Sequence, residues 1–146
     1  MKKNGFTMLE MIVVLAVLVM VMGVAAPFLS KFFVENYLDV TGLELQQNLR
    51  SAQSKAFASE HNSEWGVYIE TDNYVLYKGV SYASRDASFD LVTKTEGKVS
   101  LSGLDEVNFS KNFGRPNNIG NVNVYDNNGN VLQLNVSEIG RIMIVD

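Results

Sequence analysis

Glu10 is the residue of the N-terminal region whose type and surroundings most clearly suggest chemistry. It is the only charged side chain in the apolar run of residues 6–29. A carboxylate among apolar neighbours costs free energy unless an opposite charge pairs with it, so such residues are usually retained for a purpose. The run therefore predicts that Glu10 pairs with a positive group.

Residue types needed for catalysis or metal binding are scarce in the rest of the chain. There is no cysteine and a single histidine, His61, which is expected to be an exposed residue at a helix end. The run 126–130 offers oxygen ligands, but its glycine comes too early for an EF-hand loop, and a hairpin turn is expected. Asp105 and Glu106 are adjacent and are expected to lie on a solvated edge. These patterns predict no enzyme, no cofactor and no metal site.

The element that carries Glu10 is predicted to be a membrane-crossing helix. At 1.5 Å per residue, a helix over residues 6–29 is about 36 Å long, and a bilayer core is about 30 Å thick. Lys2 and Lys3 precede the run, so the positive-inside rule places the N-terminus in the cytoplasm and the rest of the chain outside it.

Two alternatives fit parts of this segment. A secretory signal peptide would be cut after the small residues Val24, Ala25 and Ala26, but Pro27 would then be the first residue, which signal peptidases generally tolerate badly. A plain membrane anchor gives no reason for Glu10.

The segment from Lys2 to Glu10, KKNGFTMLE, resembles the type III leader of type IV pilins and type II secretion pseudopilins. The resemblance implies that a prepilin peptidase cuts between Gly5 and Phe6, on the cytoplasmic side, and methylates the new terminal amine of Phe6. Residues 1–5 are then the leader peptide and 6–29 the transmembrane and assembly helix.

The same resemblance implies roles for two residues of that helix. Glu10 falls at the fifth mature position, where the family has a glutamate, and is expected to pair with the Phe6 amine of a neighbouring subunit during assembly. Pro27 falls where the family commonly has a proline that bends the helix, and proline inside a helix removes one backbone hydrogen bond.

The helix is predicted to continue beyond the membrane to about Glu60, with 30–62 as an amphipathic continuation. Its apolar positions follow helical spacing and are listed here: Leu38, Leu45, Leu49, Ala52 and Ala56. Gly42 is a weak point in this pattern but not a stop. The apolar stripe predicts packing against the core of a domain.

From residue 63 to 146 the apolar period changes to two, which predicts a β-rich domain. Strands are expected at 66–69, 74–77, 121–125, 131–136 and 139–145, and weaker ones at 89–92 and 107–109. The fold class is α+β: a long N-terminal α-helix, membrane-spanning in its first half, packed on an antiparallel β-sheet, as in the pilin fold.

The C-terminal half resembles the H-type minor pseudopilins and the FimT/FimU-like minor pilins. The resemblance rests on Phe113 to Asn117 (FGRPN), on Gly120 and on Gly140–Arg141. It implies a minor pilin or pseudopilin, a structural subunit of a type II secretion pseudopilus or a type IV pilus. Major pilins commonly carry a disulfide loop or a calcium site instead.

The implied partners are other pilin or pseudopilin subunits, the prepilin peptidase and methyltransferase, and the assembly platform of the inner membrane. The implied location is the inner (cytoplasmic) membrane, crossed once with the C-terminal domain outside, and then the filament. The sequence does not decide whether the filament serves secretion, DNA uptake, motility or adhesion. A secreted protein is a further possible partner.

An alternative function is a minor pilin that binds DNA directly, because some FimT-like minor pilins take part in DNA uptake. Lys111, Arg115 and Arg141 are the candidate DNA contacts, with Phe113 beside them. Two observations oppose this reading. Met143 stands where a second basic residue would follow Arg141, and loss of Lys2 and Lys3 leaves 10 basic against 16 acidic residues, a formal charge of −6.

Overall fold

The computed structural model of the chain describes the backbone of residues 7–95 and 97–145, and the side chains of these residues apart from 25–36. The chain divides into two compact units, Met1–Phe33 and Val34–Asp146. The first contains the whole apolar N-terminal run, 6–29, and the second contains every strand found in the described residues.

Helix α1 covers residues Met8–Phe57 and so includes residues of both units. The side chains of residues 8–24 are exposed. In the part of the chain that the structure describes, no helix combines the length and the apolar character needed to cross a membrane. The predicted membrane segment, 6–29, includes Phe6 and the side chains of 25–29, which lie outside the described residues.

The part of α1 in the second unit buries the predicted apolar stripe. Leu45, Leu49, Ala52 and Ala56 are fully buried and Leu38 is 8% exposed. Because these residues recur at helical spacing, they lie on one face of the helix, and that face packs against the core along its length. The predicted stripe is confirmed.

Gly42 permits close packing of α1 on the sheet below it. A Cβ atom at this position would lie 2.7 Å from Cδ2 of Leu132, which is a buried strand residue. The helix continues through Gly42, as predicted.

Helix α1 ends at Phe57, before the expected end at about Glu60. Ser59 has a left-handed backbone (φ 54°) that breaks the helix. Glu60–Asn62 then form a distorted 3-10 turn in which His61 (φ 53°) and Asn62 (φ 58°) are also left-handed. His61 is exposed in this turn, which agrees with its expected place near the helix end.

The described residues after α1 form eight strands in two four-stranded antiparallel sheets, in the orders β3-β2-β1-β5 and β4-β6-β7-β8. Their bounds are β1 Trp65–Ile69, β2 Asn73–Lys78, β3 Leu91–Lys94, β4 Val99–Gly103, β5 Glu106–Phe109, β6 Gly120–Asp126, β7 Val131–Val136 and β8 Ile142–Val145.

Three strands differ from the sequence expectation by more than one residue at an end. β4 was not predicted, because its alternation of Val99, Ser100, Leu101 and Ser102 is only two repeats long. β3 begins at 91 because residues 87–89 form a 3-10 turn. β8 begins at 142 because the preceding turn takes up residues 137–141.

The core lies between the buried face of α1 and the inner faces of both sheets, which contribute to a single apolar cluster. Val67 and Phe109 from the first sheet and Val122 and Leu134 from the second are fully buried in it. This arrangement confirms the predicted α+β fold, a long helix packed on antiparallel β-sheet, and shows two sheets where one was expected.

Candidate functional site

Glu10 lies in the first turn of α1, where it and Thr7 form a capping box. The backbone N–H of Glu10 donates to Oγ1 of Thr7 at 3.3 Å, and the backbone N–H of Thr7 donates to Oε2 of Glu10 at 3.5 Å. The pair satisfies two N–H groups that a helix start leaves without partners, and the carboxylate is also favoured by the helix dipole. Sequence reasoning missed this role, although Thr7-x-x-Glu10 is its usual signal.

Both residues of the capping box are exposed, so the Glu10 carboxylate is accessible to a group outside the chain. Gly5 and Phe6, the predicted cleavage pair, lie outside the described residues. Pro27 falls within the range of α1, but its side chain is not among those described, so a bend at Pro27 stays a prediction.

A second candidate site is built by two loops, 110–116 and 137–141, which we call the loop pair. Gln53 on α1 joins them, because its Nε2 donates to the carbonyl oxygen of Gly114 at 3.0 Å and to that of Gly140 at 2.8 Å. The two segments that carry the C-terminal resemblance are therefore held together by one side-chain amide.

The glycines of the loop pair are required by geometry. Gly114 has φ 61° and Gly140 has φ 79°, a left-handed backbone that favours glycine. A Cβ atom on Gly140 would also lie 3.1 Å from the carbonyl oxygen of Gly114 and would collide with Nε2 of Gln53. Ser137 closes its loop by accepting the Gly140 N–H through its carbonyl (2.9 Å) and the Arg141 N–H through its hydroxyl (3.0 Å).

The loop pair brings two of the three predicted DNA contacts to one place. Arg115 and Arg141 each directly follow a glycine that is bound by Gln53, and both are exposed. Lys111 is engaged differently, because its ammonium donates to the side-chain oxygen of Asn62 at the end of the 3-10 turn.

The exposed surface of the loop pair is partly apolar. Phe113 is 72% exposed and Ile139 is 81% exposed. Together with Arg115 and Glu138 they line an open pocket of about 380 Å³. Such a surface offers an aromatic ring and a cation to a ligand, with one carboxylate that opposes anions.

Glu106 lies on β5, an edge strand of the first sheet, as expected, but it is half-buried and acts as a structural hydrogen-bond acceptor rather than as a solvated carboxylate. The hydroxyl of Tyr77 donates to Oε1 of Glu106 at 2.5 Å, and the backbone N–H of Tyr82 donates to the same atom at 2.8 Å. Burial of Tyr77 raises the pKa of its phenol, and the neighbouring Glu106 carboxylate raises it further. Asp105 remains exposed, so the two carboxylates do not share a site.

The run 126–130 forms the β6–β7 hairpin turn, as predicted. Oδ1 of Asp126 accepts the backbone N–H groups of Asn128 and Asn130, both at 2.8 Å, and Oδ2 accepts the Asn130 side chain at 2.7 Å. Burial raises the pKa of Asp126, but these hydrogen bonds outweigh it and hold the pKa below its ordinary value. Within the described residues, no cluster of histidine and carboxylate side chains is arranged to hold a metal ion.

Comparison with known proteins finds a match in the N-terminal region. No curated protein and no solved structure matches the chain. Residues 1–26 match the family model of the prokaryotic N-terminal methylation motif. In this region the chain is therefore similar to the precursors of type IV pilins and pseudopilins, which are processed by a prepilin peptidase and assembled with other pilins.

Proposed function

We propose that the chain is a minor pilin or minor pseudopilin of the H or FimT type, a structural subunit of a type II secretion pseudopilus or a type IV pilus. The observation that supports this most directly is the methylation-motif match over residues 1–26, which contains the Gly5–Phe6 pair and Glu10. The resemblance of 113–120 and 140–141 to minor subunits supports the finer assignment.

In this proposal the precursor sits in the inner membrane through residues 6–29, with residues 30–146 outside the cytoplasm. A prepilin peptidase removes residues 1–5 and methylates Phe6. The assembly platform then transfers the subunit into a bundle of N-terminal helices, where apolar side chains such as Leu15 and Leu18 pack against neighbouring subunits.

Glu10 has a defined task in that bundle. Cleavage leaves an ammonium on Phe6, and in an apolar bundle this charge and the Glu10 carboxylate of an adjacent subunit each need a partner. Their pairing fixes the axial position of one subunit relative to the next. The capping box explains how the carboxylate is held near the helix start before a neighbour arrives.

The N-terminal mass of the protein purified from its native membrane tests the proposal. We expect a chain that begins with N-methylated Phe6. A chain that begins at Pro27 would indicate signal-peptide cleavage and an exported domain, and a chain that keeps residues 1–5 in cells with an active prepilin peptidase would indicate a plain anchor. Either result would overturn the assignment.

A second candidate function is direct DNA binding by the loop pair. The specific observation in its favour is that Gln53 holds the backbones preceding Arg115 and Arg141 together beside the exposed ring of Phe113. Two arginines and an aromatic ring suit phosphate contact and base stacking. Glu138 in the same pocket and the acidic balance of the chain oppose it, so retention of DNA by the full chain, measured against salt, is the deciding experiment.

A further inference from the structure

The outer face of the second sheet is rich in side-chain amides, and the proposed function assigns no role to it. We call it the amide face, and it consists of the outward side chains at alternate positions of 100–102, 121–125, 131–135 and 143–145. The residues between them, such as Val122, Val124 and Leu134, are fully buried. The outward ones are exposed or half-buried, so the alternation leaves this face open to solvent.

Side-chain amides occupy the centre of the amide face as two cross-strand pairs. Nε2 of Gln133 donates to Oδ1 of Asn123 at 2.9 Å, and Nδ2 of Asn135 donates to Oδ1 of Asn121 at 2.6 Å. These pairs sit on adjacent central strands in register. Each bond therefore fixes the orientation of two amides on the surface.

Each pair leaves hydrogen-bonding capacity toward solvent. A side-chain amide has two N–H donors and a carbonyl that accepts two hydrogen bonds. Among the described residues, no protein group receives the N–H donors of Asn121 and Asn123 or donates to the side-chain carbonyls of Gln133 and Asn135. The face thus presents fixed donors beside fixed acceptors.

The amide face carries no charge at any of these described positions, although the chain has 12 basic and 16 acidic residues. A polyanion such as a nucleic acid, or a strongly charged protein, would find no electrostatic complement here. Protein interfaces are also usually built around an apolar or aromatic centre, whereas the centre of this face is two amide pairs that keep free donors and acceptors. Charge and polarity both favour a neutral ligand that is rich in hydrogen-bonding groups.

An apolar platform adjoins the amides. Tyr125, half-buried, is paired across the strands with Val131 on one side and Ser100 on the other. An aromatic ring beside an aliphatic side chain packs well against a flat ligand surface made of C–H groups. A sugar ring combines such a surface with hydroxyls that both donate and accept.

We propose that the amide face binds a neutral polysaccharide chain. Its hydroxyls bridge the free amide donors and acceptors of β6 and β7, and one sugar ring lies on Tyr125. Because strands are about 4.8 Å apart and outward residues on one strand are about 6.8 Å apart, the rows of amides contact several successive groups of an extended polymer.

Retention of the full chain on insoluble particles of cellulose, chitin and amylose tests this, with phosphocellulose as the charged comparison. The chain is held in a detergent without a sugar head group, since a glycoside detergent would compete. The variant is Asn121→Ala with Asn123→Ala, because alanine removes the free N–H donors of both side chains and puts no new acceptor for sugar hydroxyls in their place. The control, Gln47→Ala with Ser54→Ala, removes two exposed polar side chains of α1 that lie outside the amide face.

We expect the wild-type chain and the control to be retained on at least one neutral polysaccharide, and dissolved oligosaccharides of that polymer to release them. The variant should be retained about tenfold less, the effect of losing about two ligand hydrogen bonds. Tyr125→Val should weaken retention as well. This substitution provides a second test of the amide face if the double variant folds poorly.

The proposal is overturned if no neutral polysaccharide retains the wild-type chain, or if the variant and control bind equally well. It is also overturned if retention occurs on phosphocellulose alone. A fourth outcome, self-association of the chain that the variant abolishes without any polysaccharide binding, would assign the face to a second copy instead. All four outcomes are independent of N-terminal processing and so leave the proposed assembly function standing.

Discussion

At the scale of the residue, Glu10 combines two roles that different substitutions can separate. In the single chain its carboxylate takes part in the capping box with Thr7. In the proposed filament the same carboxylate pairs with the terminal amine of a neighbour. Glutamine can serve in a capping box but cannot form an ion pair. Alanine can neither cap the helix nor form an ion pair.

We predict that Glu10→Gln and Glu10→Ala are both cleaved and methylated normally but assemble poorly, by about tenfold or more, because both lack the charge that pairs with the amine. The measurement is the fraction of the subunit recovered in sheared filaments, together with its N-terminal mass. Asp39→Asn, which removes an exposed carboxylate from the same helix, is the control and should assemble normally. If Glu10→Gln assembles like wild type and Glu10→Ala does not, capping is the role of Glu10 and ion pairing is not.

Tyr74 offers a prediction on stability and pH. Its hydroxyl is buried and makes no hydrogen bond of good geometry within 3.5 Å among the described residues. Burial, together with the nearby Glu44 carboxylate, raises its pKa from 10.0 to about 12. The neutral phenol is therefore favoured in the folded state. The contribution of the neutral phenol to the free energy of unfolding is fully present below pH 10. It is lost as the pH rises from 10 toward 12, because the unfolded chain releases the proton first.

Tyr74→Phe should leave the free energy of unfolding at neutral pH unchanged or raise it by up to about 1 kcal/mol, since it removes an unsatisfied buried hydroxyl. Above pH 10 it should lose less stability than the wild-type chain. Urea unfolding at neutral pH and above pH 10 measures the free energy of unfolding of each chain. The fluorescence of Trp65, the single and buried tryptophan, follows the transition. Tyr37→Phe is the matched control at an exposed ring, and a steeper loss of stability at high pH in Tyr74→Phe would contradict the argument.

At the scale of the element, local patterns predicted local structure well. The spacing of Leu45, Leu49, Ala52 and Ala56 predicted the buried face of α1, because helical period is a property of neighbouring residues. The β6–β7 hairpin was predicted for the same reason, since its turn residues and alternating strands are contiguous.

The arrangement of the strands into two sheets could not be predicted, because it depends on contacts between distant segments. Trp65 in β1 pairs with Phe109 in β5, and Val99 in β4 pairs with Asp126 in β6. The residue types in these strands do not indicate which strand each one pairs with. The same limit applies to the loop pair, where Gln53 gives no sign in the sequence that it binds two carbonyls far along the chain.

Gln53 tests how strongly one side chain holds these elements together. Gln53→Ala should lower the free energy of unfolding by about 1–2 kcal/mol, because it leaves the carbonyls of Gly114 and Gly140 without their donor in a half-buried position. Gln47→Ala, at an exposed position on the same helix, should change it by less than about 0.5 kcal/mol. Equal effects of the two substitutions, measured by urea unfolding of the full chain, would mean that Gln53 does not join the loops.

At the scale of the whole molecule, the candidate functions fall on separate regions. The N-terminal motif, with Glu10, lies in the first compact unit, and the loop pair and the amide face lie in the second. The amide face is uncharged, whereas the loop pair contains Lys111, two arginines and a carboxylate. Variants of one region can therefore be assayed without altering the chemistry of the others.

The loop pair provides the prediction that decides between a structural subunit and one that also binds DNA. If it binds DNA, Arg115→Ala with Arg141→Ala should weaken retention of duplex DNA by the full chain and reduce the slope of log affinity against log salt by about 2. Lys111→Ala should have a smaller effect, because its ammonium already hydrogen-bonds to Asn62. Lys94→Ala, at an exposed strand end, is the control.

The charge of the chain makes this a demanding test. An acidic protein repels DNA at a distance, so binding would depend on close contacts at Arg115, Arg141 and Phe113. Retention that is equally strong in the double arginine variant would remove the loop pair from consideration. Absence of retention at low salt, where phosphate contacts are strongest, would leave the loop pair as a surface for neighbouring subunits. In that case the exposed Phe113 and Ile139 would be its main contacts, because buried apolar area stabilises such an interface in a salt-independent way.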